Sequence, residues 1–142
     1  MGFSCMLRTD DPSIQAAMGW LPWARGDCLA AERCAADPAM PAWIVGFHCQ
    51  QAIEKACKAM LVAKGIEPPR FHDLVRLAQV LEAFGLPVPP SAALCEALSP
   101  FAVADRYPLL SAPERPRSAV DPHIAAVGAV IAAVEAWLLR GP

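Results

Sequence analysis

The sequence predicts an all-α protein, an antiparallel up-and-down bundle of four to five helices. Three observations carry this. Apolar residues recur at three- and four-residue spacing along most of the chain. Proline and glycine, 15 and 8 residues, punctuate the periodic segments. No segment alternates with period two, and β-branched residues are sparse. A length of 142 residues suits one domain. The expected layout is an irregular N-terminal segment over 1–19 and a single bundle over 20–142.

The first helix is expected from about Pro22 to Ala36, stopped by Asp37-Pro38. Trp20, Trp23, Ala24, Cys28, Ala31 and Ala35 supply its apolar face. The second runs from about Pro41 to Lys64, with Gly65 at the C-cap and Pro68-Pro69 beyond it. Its seam is Val45, Cys49, Ala52, Ala56, Ala59 and Ala63, small enough for a neighbouring helix to approach closely. The third spans about His72 to Phe84 on Leu74, Leu77, Leu81 and Phe84, and Gly85 ends it. The fourth starts after Ser91, a plausible N-cap, and Pro100 breaks it before a short turn through Phe101 to Arg106. A proline-rich loop, "YPLLSAPERPRSAV", leads to the last helix, with Asp121 as N-cap, Pro122 at N1, and Ile124, Val127, Ile131, Val134 and Leu138 on one face.

Composition bounds the function. Hydrophobic content is 56% and charged content 18%, enough for a sizeable core. A net charge of −2 and a pI near 5.9 argue against broad nonspecific nucleic-acid binding. The longest strongly apolar run, "IAAVGAVIAAV", is shorter than the roughly 20 residues a membrane span needs. The N-terminus lacks a secretory pattern, and the myristoylation pattern fails at position 6. The six cysteines form no C-x-x-C pair and read as reduced, buried thiols of a cytoplasmic protein. No residue set has metal-ligand spacing, and no cofactor is implied.

The polar residues concentrate in "FHCQQAIEKACKAMLVAKGIEPPRFHDL", 47–74. His48, Gln51, Lys55 and Lys58 stand at i, i+3, i+7 and i+10, with Gln50 and Glu54 on a neighbouring line. One reading is a solvated helix face with a Glu54–Lys58 pair of small value. The other is a ligand-reading surface rich in donors and acceptors. His72 and Asp73 open the third helix. Asp73 suits helix capping, and His72 beside a carboxylate suits proton transfer near neutral pH.

This segment, followed by "ADRYP" at 104–108 and preceded by "WARGDCLAAE" at 23–32, resembles the HEPN domain. HEPN domains are small helical domains often encoded beside MNT-type minimal nucleotidyltransferases. The resemblance covers roughly 20–140 and rests on F-H-x-Q-Q-A-x-E-K, H-D-L and R-Y-P together, with Asp27 in the family's usual place. It implies a homodimer, a second helix in the core near the dimer contact, and a polar cleft built by that helix. His48, Gln51, Lys55, His72, Asp73 and Arg106 are then the expected nucleotide- or RNA-binding residues. Arg106 is equally readable as a structural arginine paired with Glu54 or Asp27.

Some HEPN members are metal-independent endoribonucleases, toxins among them, that carry an Arg followed by His after four to six residues. The His moves protons as the 2′-hydroxyl attacks, and the Arg stabilises charge on the phosphoryl oxygens. Arg106 has no such His. Arg117 and His123 have five residues between them, but the usual polar residue at the second position is missing. The expected function is therefore a noncatalytic HEPN module with a nucleotidyltransferase-type partner. The alternative is an endoribonuclease toxin of a toxin–antitoxin pair that uses Arg117 and His123.

Overall fold

The structure, a computed structural model, describes residues 10–102 and 114–141. Five α-helices and three short 3-10 turns make up its regular structure there, and no strand occurs among the described residues. Arg106 lies outside them, as does the Pro108–Pro113 part of the proline-rich loop.

Helix α1 (Pro12–Ala35) begins earlier than the sequence suggested. Asp11 is the N-cap, its side chain accepting from the Ser13 N–H at 2.8 Å, and Pro12 sits in the first turn. Residues 12–19, expected to be irregular, are thus helical, and Pro22 lies inside the helix. An interior proline costs roughly 3 kcal/mol. Burial of Ile14 and Leu21, about 1.5–3 kcal/mol each, offsets it. The buried face is Ile14, Ala17, Leu21, Ala24, Cys28 and Ala31. Trp23, assigned to that face from spacing, is instead 71% exposed.

Helix α2 (Ala42–Ala63) is the central element. It packs on α1, α3 (Leu74–Ala83), α4 (Ala92–Leu98) and α5 (Ile124–Arg140). Its seam from Val45 to Ala63 is buried as expected. Both α2 and α3 end in Schellman motifs: Ile66 N–H donates to the Leu61 carbonyl and Leu86 N–H to the Leu81 carbonyl, each at 3.0 Å. Gly65 and Gly85 supply the required positive φ, 71° and 70°. Gly46 serves packing instead. A Cβ there would overlap the Phe101 ring, which is seated on α2 from the 3-10 turn Ser99–Phe101.

Ser91 caps α4 through Leu94 N–H at 3.1 Å. Helix α5 begins only at Ile124, after the 3-10 turns Arg117–Ala119 and Asp121–His123. Asp121 makes no side-chain cap bond, contrary to expectation, because its carboxylate accepts from Arg117 Nε at 2.8 Å. Helix α5 buries Val127, Val130, Ile131, Val134 and Leu138 against α1 and α2. Counted with its leading turns, the stretch Arg117–Arg140 has 24 residues and is long and apolar enough, by length and composition alone, to cross a membrane. Buried core helices pass the same test, and 28% of the 18-residue apolar segment within this stretch is buried here.

Candidate functional site

The polar residues of α2 divide into two clusters on different sides of the helix. On the α1 side, Asp27 splits its oxygens between two partners. Oδ1 lies 3.0 Å from His48 Nδ1, and Oδ2 accepts from Lys55 Nζ. His48 and Lys55 are two turns apart on one face, so a single carboxylate from α1 reaches both. Asp27 is 13% exposed, His48 29% and Lys55 27%, which leaves the cluster at the edge of the solvent. Beside Lys55 a groove of about 430 Å³ opens along α1, lined by Ala16, Gly19, Trp20 and Trp23.

On the α3 side, Glu54 is the hub of a buried network. Lys58 Nζ donates to Oε1 at 2.7 Å and Gln50 Nε2 to Oε2 at 3.0 Å. Gln51 Nε2 donates to Gln50 Oε1 at 2.8 Å and reaches Glu54 Oε2 at 3.3 Å. His72 Nδ1 lies 3.0 Å from Glu54 Oε1, and Gln50 Nε2 also donates to the His72 carbonyl at 2.9 Å. Gln50, Glu54 and Lys58 are buried, so the Glu54–Lys58 pair is not the solvated one that spacing suggested. Burial pushes the Glu54 carboxyl up. The hydrogen bonds from Lys58, Gln50 and His72, with the Lys58 charge, outweigh it and hold the carboxyl below its ordinary value.

Asp73 lies at the edge of this cluster but serves α3. Its Oδ1 accepts from Val75 N–H at 3.0 Å and Arg76 N–H at 3.2 Å, the capping use. Gln51 and Glu54 share one network; Arg106, expected from the sequence to join them, lies outside the described residues.

Arg117 and His123 belong to a third place, the entry to α5. The Arg117 guanidinium donates to the carbonyls of Ala35 at 2.6 Å, Asp37 at 2.7 Å and Met40 at 3.0 Å, besides Asp121. Four of its five N–H groups are thereby engaged. It satisfies the open carbonyl end of α1 and the turn that follows, and the hydrogen bond to Asp121 raises its pKa further. Sequence reasoning missed this role because the carbonyls it binds lie some 80 positions away. His123 is half-buried at the end of the 3-10 turn Asp121–His123.

Cys28, Cys34, Cys49, Cys57 and Cys95 are free thiols. Burial pushes the Cys49 thiol up to about 12 and raises Cys28, Cys57 and Cys95 as well. Among the described residues no group of three or more His, Cys, Asp or Glu is placed to hold a metal ion.

A helical bundle with its second helix in the core is what the HEPN resemblance implied. The family model for the HEPN domain matches residues 18–137, nearly the whole chain, and the protein belongs to that family. Searches of the curated proteins and of the solved structures return no match.

Proposed function

We propose that this chain is a noncatalytic HEPN module that dimerises, pairs with a nucleotidyltransferase-type partner and holds a nucleotide or RNA at the polar residues of α2. The observation that carries the noncatalytic reading is the engagement of Arg117. An arginine that stabilises a phosphoryl transition state needs donors free to meet the developing charge. Arg117 spends its donors on Ala35, Asp37, Met40 and Asp121. Turning it towards a phosphate would strip the corner between α1 and α2 of those bonds, each worth about 1.5–3 kcal/mol when the donor is charged.

Dimerisation is supported by large apolar side chains left exposed on the described surface, Leu29, Trp43 and Leu139 among them. The test is RNA cleavage by the purified chain with and without chelator, alongside co-purification with the protein of the adjacent gene. The expected result is no cleavage and a stable complex. Chelator-resistant cleavage that disappears in both Arg117→Ala and His123→Ala would overturn the reading in favour of an endoribonuclease toxin.

A further inference from the structure

The groove beside Lys55 has a composition that the rest of the surface does not explain. Ala16, Gly19, Trp20 and Trp23 stand at i, i+3, i+4 and i+7 and form one stripe of α1. Two small residues, Ala16 and Gly19, share the stripe with two indoles, and a Cβ built on Gly19 would meet nothing within 4 Å. Trp20 packs partly on the core, whereas Trp23 stands 71% exposed. An exposed indole next to an open floor offers a flat apolar face. A volume of about 430 Å³ is at the small-molecule scale, roughly 300–1,000 Å³, and too small for a partner helix.

Lys55 forms the polar end of the groove. Its ammonium has three donors, of which Asp27 takes one, so the head group is held in place with donors to spare. The Asp27–Lys55 pair carries no net charge. Binding there rests on stacking and a directed hydrogen bond rather than on attraction to a charged backbone.

We infer that this groove is the stacking site for one unpaired nucleobase, held against Trp20 and Trp23, with Lys55 donating to an oxygen of the base or its phosphate. The inference rests on the ligand-binding part of the proposed function and gives that ligand a place. The same chemistry is offered by a free mononucleotide and by an unpaired residue of an RNA strand. Aromatic side chains stack every base, and a duplex hides the base faces the groove needs.

The experiment titrates AMP, single-stranded oligoadenylate, a blunt RNA duplex and ribose 5-phosphate into the full chain and follows tryptophan fluorescence and calorimetric heat. AMP or oligoadenylate is expected to quench and to bind with little dependence on salt, because few phosphates are neutralised. Which of the two binds identifies the source. Ribose 5-phosphate and the duplex are expected to give no signal. Trp23→Ala should weaken binding roughly tenfold. Gly19→Leu puts a bulky side chain into the groove from a position where a Cβ meets nothing within 4 Å, so it should abolish binding while the thermal midpoint stays level or rises. Binding unchanged in both variants, ribose 5-phosphate binding as tightly as AMP, or no binding of AMP or oligoadenylate would overturn the inference. The first two results would leave a ligand-binding module with its site elsewhere, and the cleavage assay reads the noncatalytic proposal independently.

Discussion

Glu54 on α2 and His72, the residue before the α3 N-cap, meet at 3.0 Å across 18 positions of sequence. Through this contact and the Gln50 bond to the His72 carbonyl, the α2–α3 connection is pinned to the middle of the bundle. Glu54 is 5% exposed and faces the buried ammonium of Lys58. Removing one member therefore leaves the other charge buried without a partner. Glu54→Ala is expected to cost on the order of 3–5 kcal/mol, measured by denaturant unfolding. A loss under about 1 kcal/mol, the value of an exposed pair, would show that water already reaches the cluster.

Acid should act on the same group. The folded state holds the Glu54 carboxyl below its ordinary value, so the folded chain binds fewer protons than the unfolded chain in that range. The contribution is complete above the unfolded value, about 4.3, and is lost as pH falls through the lower folded value. Thermal midpoints measured from neutral to acid pH should fall less steeply for Glu54→Gln than for the parent. Parallel curves would place the acid sensitivity elsewhere.

Gly46 tests the packing of Phe101. A Cβ at that position overlaps the ring, and the backbone of α2 and the 3-10 turn Ser99–Phe101 leave no simple retreat. Gly46→Ala should destabilise by about 1–3 kcal/mol, as overpacking does, even though alanine is the better helix former. The double variant Gly46→Ala/Phe101→Leu should recover part of that loss.

The thiols offer a kinetic readout. With Cys49 pushed up to about 12 and Cys57 raised by complete burial, neither carries appreciable thiolate at pH 8 in the folded chain. Both are expected to resist alkylation until the protein unfolds, so labelling followed by mass spectrometry should track global unfolding. Rapid modification of Cys57 in native buffer would reveal local opening between α2 and α4.

Arg117 should prove structural. Both Arg117→Ala and Arg117→Lys are expected to lower the thermal midpoint. Lysine should recover little, since its ammonium lacks the planar fork that serves three carbonyls and a carboxylate together. A lysine variant as stable as the parent would count against that geometry.

The parts of this fold that were legible in sequence are those fixed by local chemistry. Gly65 and Gly85 end their helices where the seam residues stop, and Ser91 and Asp73 cap theirs. The failures arose where two local signals competed or a distant partner intervened. Asp11-Pro12 and Leu21-Pro22 are both proline-marked places to start a helix, and only the burial of Ile14, Ala17 and Leu21 decides between them. Asp121 has good N-cap chemistry but is claimed by Arg117. Within the candidate site, spacing put His48, Gln51, Lys55 and Lys58 on one stripe and Gln50 with Glu54 on a neighbouring line. The two carboxylates divide that stripe, Asp27 taking His48 and Lys55 and Glu54 taking Lys58. Which acid lies over which turn of α2 is a matter of tertiary placement, and no periodicity encodes it.

The alanine-rich seam of α2 has a mechanical consequence. Ala52, Ala56, Ala59 and Ala63 are almost featureless, and a smooth rod against a smooth neighbour can turn about its own axis or slip along it at little cost. Asp27 on one flank and Glu54 with His72 on the other act as two keys in a shaft. Any rotation that relaxes one of these contacts strains the other, so charged groups add to the close Gly46–Phe101 contact in fixing the azimuth of α2. Removing both keys at once, in Asp27→Asn/Glu54→Gln, should leave a chain that is still helical but has broadened side-chain NMR signals.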